Sequence, residues 1–317
     1  MLENSISDTV RFWLAAFVAA FVSVGTAVLS VWAFQQYGWV LFVFSPVQMG
    51  ILATLIYAPN NEQSFGRCFA VSMVSILMVA FVLLVIAFEG AICLVMAAPF
   101  ALILNLFGVL IGKAISYAIQ EIRVKNYVSL FLVLSIPFLL GFETSTKSKP
   151  ILHKVVSTVE IEAPIEKVWE TVVAFPQIEK QPEGILRLGF AYPVNAKIEG
   201  AGVGATRYCN FNTGAFVEPV TAWEKPNLLA FDVKSQPAPM IETSFYSNLH
   251  AAHMDFIKSE RGQFRLYEKD GKTVVEGTTF YTHDIAPDFY WQLFSDEIIH
   301  QIHMRVLNHI KEVSEKN

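Results

Sequence analysis

Two patterns of hydrophobic and polar positions divide this chain. Up to about residue 142 the apolar positions run continuously, in stretches of 12–34, 39–58, 68–88, 90–112 and 126–142. Each is at or near the 20 or so residues that an α-helix needs to cross a bilayer. The fifth is the shortest and contains Pro137. Only Glu89-Gly90 separates the third and fourth, which predicts a tight hairpin; alternatively Glu89–Pro99 is re-entrant, with Pro99 breaking the helix. Beyond residue 150 the pattern changes to short alternation. His153–Ile161 reads as a strand, with Val155, Ser157, Val159 and Ile161 on one face and Lys154, Val156, Thr158 and Glu160 on the other. Ala163-Pro164 then opens a helix carrying Val168, Trp169 and Val172. Further strands are expected at about 205–212, 215–222, 228–234, 262–268 and 273–282, with Asp270-Gly271 as a hairpin turn. A helix over about 287–314 closes the chain, with Trp291, Phe294, Ile298, Ile302, Val306, Ile310 and Val313 as its apolar stripe.

Charge sharpens the division. The first 142 residues hold ten charged side chains, five of each sign, and none falls between Phe12 and Asn61. The net charge of −5 therefore belongs to the second half, which argues against a nucleic-acid partner. Cys68, Cys93 and Cys209 are scattered and offer neither a disulfide framework nor a metal–thiolate site. With five spans, Arg11, Arg67, Lys113, Arg123 and Lys125 fall on one side, so the N-terminus is expected in the cytoplasm and the second half outside it. The reading is a membrane α-helical anchor of about five transmembrane helices (1–142), a polar linker (143–150) and an α+β domain (151–317). In that domain a curved antiparallel sheet grips a long C-terminal helix, and an apolar ligand would sit in the space between them.

Residues 153–175 (HKVVSTVEIEAPIEKVWETVVAF) resemble the opening of the START-like, or SRPBCC, superfamily, which includes polyketide cyclase/dehydrase-like and lipid-transfer proteins; Ile161, Ala163, Pro164, Val168 and Trp169 carry the likeness. Glu218–Phe231 resembles the strand–turn–strand that follows, and Gly262–Leu266 with Thr273–Thr279 the later hairpin. The layout is similar to that of bacterial membrane proteins with a C-terminal SRPBCC domain. The resemblance implies a helix-grip fold with a cavity, shared by carriers, regulators and enzymes.

Candidate chemistry is sparse. Gly200-Ala201-Gly202-Val203-Gly204 lacks the following helix that a dinucleotide loop requires and reads as turn glycines. His250-x-x-His253 and His300-x-x-His303 have spacings that could bind a metal on a helix, and Glu297-x-x-His300 has the spacing of di-iron bundles but lacks the second such motif that arrangement requires. Helical projection places Glu297 and His300 opposite the apolar stripe, His303 on its flank and His309 on the apolar side. No metal, cofactor or catalytic nucleophile is expected. Arg207, Tyr208, Glu218, Glu242, Tyr246, His250, His253, Tyr281 and Trp291 are the polar candidates for the cavity, with Arg207 and Glu218 a buried pair. Gln236–Ile241, with two prolines, reads as a cavity rim helped by Phe245, Tyr246 and Met254. Glu89 is expected to be a loop carboxylate at the membrane interface. Three functions fit: binding of a lipid or other hydrophobic small molecule beside the lipid bilayer, a cyclase/dehydratase-type enzyme on a membrane-soluble substrate, or a signalling or assembly protein with a sensory domain. Oligomeric state is not encoded legibly.

Overall fold

The computed structural model describes residues 7–119, 121–147, 149–241 and 257–316. The chain forms two compact units, one of residues 1–148 with 285–287, the other of 149–284 with 288–317.

Among the described residues the first unit contains five helices long and apolar enough to cross a membrane. Helix α1 (Asp8–Val28) is capped by the Ser7 hydroxyl and runs on as a π-helical turn to Ala33. A second π turn leads into α2 (Ser45–Tyr57), followed by α3 (Phe65–Val85), α4 (Ala91–Ala118) and α5 (Ile122–Ser145). Helix α4 passes through Pro99 and α5 through Pro137. Pro99 therefore does not break the helix, and the Glu89 region is the turn between α3 and α4. Helix α5 also takes in residues 143–145, expected to be linker. There the Glu143 carboxylate accepts from the backbone N–H groups of Trp39 (2.5 Å) and Val40 (3.2 Å), satisfying donors at a helix start that has no partner of its own.

Small and polar side chains fill the interior of this unit. Ala15, Ala16, Ala19, Ser72, Ser75 and Asn105 are wholly buried, while Phe21, Trp32 and Phe138 project outward. Gly108 sits so close to α2 that a Cβ there would lie 2.9 Å from the Val47 carbonyl carbon and 3.1 Å from Gly50 Cα. Close backbone approach at small residues is how apolar helices associate without a hydrophobic driving force between them. Asn105 joins three helices: it accepts from Ser72 on α3 and donates to the Pro46 carbonyl on α2. Polar side chains thus link successive helices as packing contacts. At one end Arg11 pairs with Glu62, Arg67 with Asp8, Lys113 with the Gln63 carbonyl and Lys125 with the Pro59 carbonyl. Glu89, in the turn between α3 and α4, accepts from the Tyr37 hydroxyl at 2.5 Å.

The second unit is a seven-stranded antiparallel sheet with a long helix. Its strands are β1 (Leu152–Ile161), β2 (Pro193–Glu199), β3 (Thr206–Phe211), β4 (Gly214–Glu224), β5 (Leu228–Asp232), β6 (Ile257–Lys269) and β7 (Lys272–His283). They lie in the order β1-β7-β6-β5-β4-β3-β2. The long helix is α7 (Asp288–Glu315), and a short one, α6 (Ile165–Val173), starts after Pro164. This is the helix-grip arrangement. The faces of β1 follow the predicted alternation: Val155, Ser157 and Ile161 are buried and Val159 half-buried, with His153 on the same face, while Lys154, Val156, Thr158 and Glu160 are exposed. Asp270 (φ 51°) and Gly271 (φ 76°) form the two-residue hairpin loop, whose geometry requires positive φ at both central positions. The core joins Trp169, Val168 and Val172 of α6 to Leu229, Leu266, Val275, Leu307 and Ile310.

Candidate functional site

The space between sheet and α7 is a cavity of about 100 Å³. Its walls follow from strand alternation. Arg207, Cys209 and Phe211 point inward from β3, Phe216 and Glu218 from β4, Phe231 from β5 and Phe264 from β6, while Ile299, Ile302, His303, Val306 and Leu307 descend from α7. Gly262 leaves the Phe231 ring its place, since a Cβ there would come within 2.6 Å of that ring.

A buried charged pair interrupts this lining, to which Arg261, Gln263, Thr278 and Thr279 also contribute. Arg207 and Glu218 are cross-strand partners in the β3–β4 register and form a buried ion pair. The Arg207 Nε also donates to the Val173 carbonyl (3.2 Å), and the guanidinium carbon lies 5.4–5.8 Å from the ring centres of Phe231, Phe264 and Phe175. Its Nη2 has no hydrogen-bond partner among the described residues. Burial opposes the charge on Arg207, yet the Glu218 carboxylate beside it holds the guanidinium pKa above its usual value. Burial also pushes the Glu218 carboxyl up, with Arg207 opposing. The Cys209 thiol is pushed up to about 12 by burial and by the Glu218 charge, so it stays protonated at neutral pH.

A second polar group comes from α7. His303 Nε2 is 2.7 Å from the Thr279 hydroxyl, and the Ser157 hydroxyl lies 3.1 Å from His303 Nδ1 and 2.8 Å from His300 Nδ1. Burial, and then the neighbouring His300, lower the His303 pKa to about 4. His300 and His303 thus face the sheet, whereas the projection from sequence turned His300 away and set His303 on the flank. An i, i+4 stripe advances about 40° beyond a full turn at each step, so the buried arc rotates along the helix. It has moved from Trp291 and Ser295 to Leu307, Ile310 and Ser314 by the C-terminal half.

Of the other candidates, Tyr208 sits on the opposite face of β3, between inward-pointing Arg207 and Cys209, and its hydroxyl donates to Glu199 (3.3 Å). Tyr281 is inward-facing but lies outside the cavity lining: its hydroxyl donates to Asp296 (2.6 Å), and burial followed by that carboxylate raises its pKa. Trp291 is buried among Tyr290 and Phe294, also outside the lining. Glu242, Phe245, Tyr246, His250, His253 and Met254 lie outside the described residues. Segment 236–241 is fastened: Gln236 bonds Ile257 and Ser259, and Ala191 and Ile241 bond the backbone of Pro239 and Gly189. Sequence reasoning missed Ser157, Thr279 and His303. For Ser157 the signal was present in the β1 alternation, which placed it among inward apolar residues.

Fold and site define an α+β helix-grip domain, with a small, largely apolar cavity holding one ion pair, on a chain that also carries five long apolar helices. No protein-family model and no curated protein matches the chain. Solved structures similar to it include a truncated norcoclaurine synthase from Thalictrum flavum, at 13% identity over 54% of this chain and 99% of that one, TM-score 0.35. A ginseng major latex-like protein 151 from Panax ginseng is 12% identical over 52% of this chain and 99% of its own, TM-score 0.33. The di-domain ARO/CYC BexL from the BE-7585A biosynthetic pathway is 12% identical over 62% of this chain and 59% of its own, TM-score 0.34. Likeness at this level carries no ligand or activity to this chain.

Proposed function

We propose that the chain is a membrane-anchored binding protein whose helix-grip unit holds a small apolar molecule bearing a hydrogen-bond acceptor. The observation that carries this is the buried Arg207 Nη2, with no partner among the described residues, in a cavity walled mainly by phenylalanine and aliphatic side chains with a few polar ones such as Thr278, Thr279 and His303. An unpaired buried donor costs about 1–3 kcal/mol, which a carbonyl or carboxylate oxygen on a ligand recovers. Size limits the rest: a cavity of about 150 Å³ accommodates benzene. A space of about 100 Å³ therefore suits a single ring or a short chain. A diacyl lipid enters only in part, or by parting α7 from the sheet. Catalysis is the weaker reading, because both ring nitrogens of His303 already face hydroxyl partners and its low pKa makes it a poor base.

The five apolar helices, with large side chains outward and small ones inward, support a bacterial inner-membrane anchor. Arg11, Arg67, Lys113 and Lys125 gather around the loop of residues 58–64, which supports placing that end in the cytoplasm and the C-terminal unit outside it. A C-terminal reporter active only outside the cytoplasm would support this sidedness; one active only inside would reverse it. The binding proposal is tested by native mass spectrometry of the full chain, gently extracted from its source membrane. One small adduct per chain is expected, released on denaturation. A bare chain that stays bare after incubation with the membrane extract sinks the proposal.

A further inference from the structure

A second polar cluster lies outside the cavity lining. The β1–β7 register sets His153 opposite Tyr281, and His283 follows on the same face two residues later. The two imidazoles stack with centroids 5.1 Å apart and planes 7° from parallel. Asp288, the first residue of α7, brings its Oδ1 to 2.9 Å from His153 Nε2 and 3.5 Å from His283 Nε2. One donor atom from each residue lies within 4.8 Å of the others. Both histidine side chains are buried, at 7% and 0% exposure, while the Asp288 side chain is 38% exposed.

We infer that His153, His283 and Asp288 form a site for a divalent first-row transition-metal ion. Bonds of about 2.0–2.2 Å from such an ion to imidazole nitrogen and carboxylate oxygen set neighbouring donors roughly 3–3.5 Å apart. The two N···O separations already match that spacing. Two nitrogens and one carboxylate oxygen suit zinc and its neighbours, whereas calcium and magnesium select oxygen donors. Three protein ligands leave positions open to water, and the exposed side of Asp288 gives the ion a way in. The three ligands come from β1, β7 and the start of α7, so a bound ion fastens the long helix to the sheet. Sequence spacing could not reveal the site, because 135 residues separate His153 from Asp288, and the β1–β7 pairing that brings His153 beside His283 is not a local pattern. The competing account, one carboxylate accepting from two imidazoles, predicts no metal uptake.

The test is Co²⁺ titration of the full, tag-free chain in detergent, read by visible absorption and then competed with Zn²⁺. One Co²⁺ per chain is expected, with four- or five-coordinate bands that Zn²⁺ abolishes, and Zn²⁺ should raise the thermal midpoint. Asp288→Asn keeps the shape of a half-exposed side chain, so loss of binding there is separable from misfolding. It should weaken Co²⁺ binding at least tenfold and remove the Zn²⁺-dependent thermal shift, as should His153→Gln, whereas His303→Gln should change neither. No uptake by the native chain overturns the inference, and so does uptake that survives both Asp288→Asn and His153→Gln.

Discussion

The two units of this chain solve the same packing problem in opposite ways. In the helical unit the inward side chains are small or polar, such as Ala15, Ser72, Asn105 and Gly108, and the outward ones large and apolar, such as Phe21, Trp32 and Phe138. In the sheet unit Trp169, Leu229, Leu266 and Ile310 are inside, while Lys154, Glu160 and Thr158 face water. Apolar burial drives folding only where the alternative is water. Where the surroundings are themselves apolar, close backbone contact and interhelical hydrogen bonds take over. Both units keep some buried polar atoms without a partner among the described residues, Gln48 Oε1 in the helical unit and Arg207 Nη2 in the sheet unit among them, but of these two only the latter borders the cavity against α7.

The largest expected effect breaks the buried pair. Arg207→Met leaves Glu218 uncompensated and should cost the sheet unit about 3–5 kcal/mol in chemical denaturation. Arg207→Met with Glu218→Met should recover most of that loss, because an apolar pair of similar volume carries no desolvation penalty. Next comes pH. His303 binds its proton at about 4 in the folded chain, against 6.5 for the unconstrained side chain. Between those values the unfolded state carries the extra proton, so stability is full above about pH 6.5 and falls towards pH 4, by roughly 3 kcal/mol. His303→Gln should remove that part of the slope; an unchanged slope would place the titration elsewhere. In the helical unit Gly108→Ile should cost about 1–3 kcal/mol by forcing α2 from α4, measured as a lower thermal midpoint in detergent. The smallest effect belongs to the surface. Lys225→Ala removes an exposed partner of Glu170 and should change stability by less than about 1 kcal/mol.

Much of this contrast is written in the sequence, because each unit has its own hydrophobic pattern. The uncharged run from Phe12 to Asn61 belongs to α1 and α2, and the two-residue alternation of 153–161 to the faces of β1. Cross-strand pairing of Arg207 with Glu218 was also legible, since a charged pair on inward strand positions has few other ways to be satisfied. Strand β2 escaped notice: Pro193, Asn195 and Lys197 break its apolar pattern, and it is held by pairing with β3. The orientation of His300 and His303 was misjudged because a single helical projection cannot follow a buried arc that rotates along α7. The grouping of His153, His283 and Asp288 depends on strand register, which no local pattern encodes.

The central claim is that the sheet unit holds a small apolar molecule through Arg207. It is tested most directly by comparing the native full chain with the Arg207→Met, Glu218→Met double variant, once native mass spectrometry has supplied a ligand. Calorimetric titration of that compound should give one site on the native chain and binding at least tenfold weaker on a double variant that remains folded. Equal affinity in the two proteins would contradict the account and remove Arg207 from the site.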